Sequence, residues 1–128
     1  MYIQDTSTFP VVHLSYKAED KTSLDELFEK FESLLSKNQK FVFVSEGPFA
    51  EEDNDHEARK KVGAWVKANR ATLSRLIVGL VHTETDEKRR VEAEQFAKIF
   101  QQFSGYPMYL VLNKTESDAT IKRLLSEE

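Results

Sequence analysis

The chain has 128 residues, a length that suits one domain with one core, and its 40% hydrophobic and 31% charged residues, with nine phenylalanines, set it apart from disordered segments. The absence of cysteine excludes disulfide scaffolds, thiolate zinc sites and thiol catalysis, and it fits a reducing compartment. A net charge of -4 gives no overall attraction to nucleic acid, and no apolar run has the form of a secretory leader or the length of a membrane span, so a cytoplasmic protein is expected.

In chain order, Val12, Leu14 and Tyr16 alternate with His13 and Ser15, the pattern of a half-buried strand near a sheet edge. Met1 to Asp5 is expected to pair with it as a short hairpin across Thr6-Ser7-Thr8. Leu24, Leu27, Phe28, Phe31, Leu34 and Leu35 then recur at three- and four-residue spacing, which predicts an amphipathic helix capped by Ser23 or Thr22. Phe41-Val42-Phe43-Val44 is a continuous apolar run, suited to a strand covered on both faces.

An acidic stretch, Glu51, Glu52, Asp53 and Asp55, sits where a helix N-terminus favours negative charge and leads into a second helical pattern. Ala58, Val62, Trp65, Val66, Asn69 and Leu73 fall on one side of it, and Trp65 reads there as core. Leu76 to Val81 is the third strong strand, expected at the sheet centre, with Gly79 marking close approach by another backbone or a bulky side chain. A third helix begins near Asp86 and runs through Phe96, Phe100 and Phe103 to a stop at Gly105. Met108 to Leu112 forms a strand, and a short helix around Ser117 to Ser126 carries Ile121, Leu124 and Leu125.

Strand, helix, strand order with fully apolar interior strands predicts an α/β fold. The expected architecture is a single domain over residues 1–128, with a four- or five-stranded mainly parallel (mixed) sheet, an N-terminal edge strand or hairpin, and about four helices on the faces.

Ligands of open α/β sheets bind beyond the carboxyl ends of the strands, which directs attention to Ser45, Glu46, His82, Thr83 and Asn113. His82, with Glu46 or Glu84 as partner, has the chemistry to exchange a proton near neutral pH; polar residues leaving a strand for a loop are the alternative. A triad of Ser45, His82 and Glu84 lacks the Gly-x-Ser-x-Gly elbow, so no catalytic residue is assigned. The acidic run lacks calcium-loop spacing, and His56 reads as a surface residue, so no metal site is expected. Asn113-Lys114-Thr115-Glu116 has a guanine-reader outline without a phosphate loop, and glycine-rich dinucleotide fingerprints are missing, so no cofactor is expected either. Arg59, Lys60 and Arg70 on the second helix offer a basic partner-binding patch, or an ordinary solvated face.

The hairpin-like start, Phe41 to Val44, the helix carrying Trp65-Val66-Lys67-Ala68-Asn69-Arg70, and the strand Leu76 to Val81 together resemble the small SpoIIAA-like domains, relatives of the STAS fold of bacterial anti-sigma-factor antagonists. The resemblance covers most of the chain by element order. It implies a mixed sheet opened by an antiparallel strand, and regulatory protein binding or small-ligand sensing. Family members carry a phosphorylated Asp-Ser pair, whereas the corresponding loop here runs from Ser45 to Asp53 without one, so Ser45 receives no such role.

The expected function is a non-enzymatic regulatory or protein-interaction module of bacterial type, with an unidentified protein partner and a homodimer among its forms. The alternative is a small-molecule-binding domain or enzyme using Glu46, His82 and Asn113. Neither nucleic acid nor a membrane span is expected.

Overall fold

A computed structural model describes residues 1–49 and 56–126; the acidic run at 51–55 lies outside the described residues. The elements are β1 (Tyr2–Asp5), β2 (Val11–Ser15), a single 3₁₀ turn (Ala18–Asp20), α1 (Leu24–Ser36), β3 (Phe41–Glu46), α2 (His56–Leu76), β4 (Ile77–Thr83), α3 (Glu87–Ser104), β5 (Met108–Val111) and α4 (Lys114–Ser126). One five-stranded sheet has the order β1-β2-β3-β4-β5. β1 runs antiparallel to β2, and the other pairs are parallel. The fold is the α/β mixed sheet with an N-terminal hairpin and four helices that the sequence predicts.

Strands laid side by side in chain order make every crossover step in the same direction, and a right-handed crossover then lands on the same face each time. α1 accordingly packs on α2 and α2 on α3, while α4 returns after β5 to pack on β3, β4 and β5. The helices split three to one between the faces. The strand order corrects one expectation, since β3, not β4, is the middle strand; β2 lies near the edge as expected, one place in, with β1 paired outside it. An apolar run shows that a strand is interior without saying which interior place it takes.

The two faces have separate cores. Val12, Leu14, Phe41, Phe43, Ile77, Leu80 and Met108 point to the three-helix layer and meet Phe31, Leu34, Leu73 and Phe100. Val42, Val44, Val81 and Val111 point the other way and meet Leu124 of α4. Alternation is strict along β3 but breaks in β4. Phe41 pairs with Ile77 while Val42 pairs with Gly79, so Val78 is an extra residue. That insertion reverses the facing of everything beyond it, because side chains alternate with a period of two. Leu80 and His82 consequently share a face with Phe43 and Ser45.

Helix ends follow local chemistry. Ser23 caps α1 by accepting from the Glu26 N–H, Asp86 caps α3 by accepting from Arg89 N–H, and Gly105 closes α3 in the left-handed conformation. α4 begins at Lys114, earlier than expected, because Asn113 Oδ1 accepts from the Glu116 N–H while Glu116 Oε1 accepts from the Leu112 N–H, a reciprocal arrangement of the capping-box kind. Leu76 is the last residue of α2 rather than the first of β4, since helix passes to strand without a loop. Among the described residues no helix is long and apolar enough to cross a membrane.

Gly79 has the role its position suggested. A Cβ there would lie 2.7 Å from Tyr109 Cε2 and 3.2 Å from the Pro107 carbonyl oxygen. Arg123 of α4 stands over the same Tyr109 ring, 5.8 Å from its centroid. Gly79→Ala is expected to destabilise the fold by about 1–3 kcal/mol, the usual cost of overpacking, as measured by urea unfolding.

Candidate functional site

The parallel strands β2 to β5 end on one edge of the sheet, where each contributes polar residues as its apolar run finishes. Ser45 and His82 are register partners across β3 and β4, and Glu46 and Thr83 are the next pair. The ladder continues past the strands: Gly47 N–H donates to the Thr83 carbonyl at 3.1 Å, and Glu84 N–H donates to the Val111 carbonyl at 3.1 Å. These bonds hold the rim of the site to the frame of the sheet.

Beneath the rim, a side chain just past the end of β2 joins in a row with one on β3 and one on β4. Tyr16 Oη lies 3.2 Å from Ser45 Oγ, and Ser45 Oγ lies 2.7 Å from His82 Nδ1. His82 is 0% exposed and Ser45 7% exposed. The chain of bonds runs in either sense: Tyr16 to Ser45 to Nδ1, or Nδ1–H to Ser45 to Tyr16, since each hydroxyl both donates and accepts. Phe49 stacks on the imidazole at 4.5 Å between centroids and 19° between planes, and Tyr16 meets both rings edge-on. The other ring nitrogen, Nε2, is buried, and among the described residues no partner meets hydrogen-bond geometry with it.

Burial keeps the row uncharged. It pushes the Tyr16 phenol up to about 12, against a smaller opposite pull from the Ser45 hydrogen bond. It also holds His82 below the ordinary histidine value, opposed in part by the Gly47 backbone and by the Glu84 and Glu46 carboxylates. Neither carboxylate hydrogen-bonds the ring; the partner of His82 is Ser45. Serine on Nδ1 with no carboxylate on Nε2 among the described residues is not the relay of a serine hydrolase, where the serine bonds one ring nitrogen and a carboxylate orients the other.

Glu84 is engaged elsewhere. Although only 2% exposed, it receives Arg89 Nε at 2.9 Å, Arg89 Nη2 at 3.3 Å and the Asp86 N–H at 3.1 Å. The Arg89 hydrogen bonds hold its carboxyl below the usual range, outweighing burial, so it is an anion fixed at the start of α3.

Above these groups lie two adjoining cavities of about 600 and 740 Å³, which share Gln4, Leu14, Glu46, Thr83 and Thr85. Lys17, Tyr16 and Arg89 line the first; Ser45, Asn113 and Lys114 line the second. Of the five residues singled out by position, Ser45, Glu46, Thr83 and Asn113 therefore come together on one cavity, while His82 lies below it. Asn113 also serves as the α4 cap, so part of its polarity is structural.

The basic residues of α2 have separate surroundings. Arg70 donates to the carbonyls of Gln102 at 2.8 Å and Gln101 at 3.2 Å, neutralising the C-terminal end of α3. Arg59 and Lys60 are exposed in the first turns of α2. Among the described residues no group of three His, Asp or Glu side chains is placed to hold a metal ion.

Sequence reasoning passed over Tyr16, Phe49 and Arg89 as site residues. Tyr16 was legible as the last inward position of the β2 alternation; Phe49 and Arg89 act through contacts that depend on how the loop and α3 fold back. No family model matches the chain, and neither a curated protein nor a solved structure matches it.

Ser45→Ala leaves the Tyr16 hydroxyl and His82 Nδ1 without their partner, and is expected to cost about 1–3 kcal/mol in urea unfolding. A depressed histidine gives stability that is complete above its unfolded value of 6.5 and lost as pH falls towards the lower folded value. Wild-type protein is therefore expected to unfold at lower urea at about pH 5 than at about pH 7.5, with part of that difference removed by His82→Asn.

Proposed function

We propose that this chain is a non-enzymatic regulatory or protein-interaction module of the SpoIIAA/STAS-like kind. The observation that carries the reading is the closed Tyr16, Ser45 and His82 row. Ser45 and His82 are buried and spent on each other and on the half-buried Tyr16, and Glu84 is spent on Arg89. Paired in this way, they stiffen a rim whose exposed members, Glu46, Thr85 and Lys17, face outward for recognition. The element order supports the same reading, because the resemblance implies partner binding as the family's activity.

The partner surface includes this rim and the exposed start of α2. Arg70 is left out of the test because its reversal would disturb the end of α3. Immobilised wild-type protein is expected to retain a partner that an Arg59→Glu/Lys60→Glu double variant loses. Equal recovery by both, with folding checked by circular dichroism, would remove the α2 surface from the proposal.

A second reading, a small-molecule-binding domain or enzyme, is favoured by the convergence of Glu46, Thr83 and Asn113 on one cavity of about 740 Å³, within the size range of ligand sites. A compound that binds the folded state raises its apparent melting temperature. A metabolite whose thermal shift disappears in Glu46→Gln and Thr83→Val would establish this reading in place of the first.

A further inference from the structure

The aromatic rings of the three-helix layer form a band with a gap. On one arm Trp65 lies flat on Phe28, 5.2 Å between centroids and 6° between planes, and edge-on to Phe31 at 5.4 Å. The floor continues from Phe31 to Phe43 at 5.4 Å, from Phe43 to Tyr106 at 5.8 Å, and from Tyr106 to Phe100 at 5.3 Å. The other arm rises from Phe100 to Phe96 and Phe103 at 5.6 and 5.8 Å, and from Phe96 to Phe49 at 5.2 Å. Among the described residues no ring contact joins Trp65 or Phe28 to Phe96 or Phe103 above the floor. The space between the arms is a cleft of about 520 Å³.

We propose that this cleft binds an uncharged, planar aromatic small molecule that completes the band. Its volume falls within the range of pockets that hold such ligands, roughly 300–1,000 Å³. Rings on both arms and on the floor offer stacked and edge-on contacts at once, a geometry that selects a flat ring over a globular aliphatic body. Among the described residues the cleft offers no basic side chain to an anion, burial disfavours the charged form of the Met1 amino group at its wall, and the one acidic side chain, Glu92, is exposed, where water weakens its hold on a cation, so the ligand is neutral. The Tyr16 hydroxyl at the cleft wall is already engaged with Ser45. The mouth keeps apolar surface in water, with Phe103 49% and Val62 37% exposed. This site is distinct from the strand-end cavities, although Tyr16 and Phe49 form a wall between it and the 600 Å³ one.

Trp65 is the sole tryptophan, so its emission reports directly on the cleft. Titration of full-length protein with neutral N-phenylnaphthylamine is expected to quench Trp65 saturably at one probe per chain. Anilinonaphthalene sulfonate, its anionic analogue, is expected to bind at least about tenfold more weakly, a difference read without any substitution. Phe103→Ala and Val62→Glu, both at exposed positions of the cleft mouth and checked for folding by circular dichroism, are each expected to weaken the neutral probe by about tenfold. Val91→Asp, 55% exposed on α3 and outside the cleft, is expected to leave it unchanged. Unsaturable quenching, equal affinity for the two probes, or indifference to both cleft substitutions would overturn the proposal. So would sedimentation showing a dimer that those two substitutions dissociate, since a second copy would then be the occupant.

Discussion

The one-residue insertion in β4 governs the rest of the molecule. With Ile77 paired to Phe41 and Gly79 to Val42, Val78 adds a half-step to the alternation, and every side chain beyond it changes face. Without that step His82 would point to α4 and Val81 to the three-helix layer. Ser45 would face a valine in place of an imidazole, and two buried polar groups would lose their common partner. The insertion also brings Gly79 under the Tyr109 ring, where no Cβ fits. A single backbone irregularity thus sets both the packing under α4 and the polar row under the strand ends.

The order of the strands has an equally physical consequence. Adding each parallel strand on the same side sends three crossovers to one face and leaves α4 alone on the other. The crowded face needs large residues to fill the space between three helices and a sheet, and most of the phenylalanines are there. The α4 face is valine-rich and thin by comparison. Aromatic rings fill the crowded face incompletely, which is how a cleft and a packed core come to share Phe31 and Phe100.

At the strand ends, polar groups are present without being available. Ser45 and His82 satisfy each other, Glu84 is fixed by Arg89, and Asn113 caps α4. Each looked like chemistry in the sequence because it is a reactive residue type at a reactive address. Burial and a hydrogen-bond partner turn such a residue into a structural element, and His82 shows the cost of that use in its Nε2, buried without hydrogen-bond geometry to any described residue.

The existence of the helices, and the ends of α1 and α3, were legible in the sequence because amphipathic spacing and caps are local. Leu24 to Leu35, Ser23, Asp86 and Gly105 each declare themselves within a few residues. The α/β class and the hairpin start followed from the alternation of apolar runs with such helices, and Gly79 announced a close neighbour. Tertiary structure alone decided that β3 is central, that the helices divide three to one, and that Tyr16, Ser45 and His82 form a row. Those outcomes depend on pairing register and strand order, which are set between segments far apart in the chain. A one-residue shift in register changes the face of every side chain after it while leaving each segment's own pattern nearly the same.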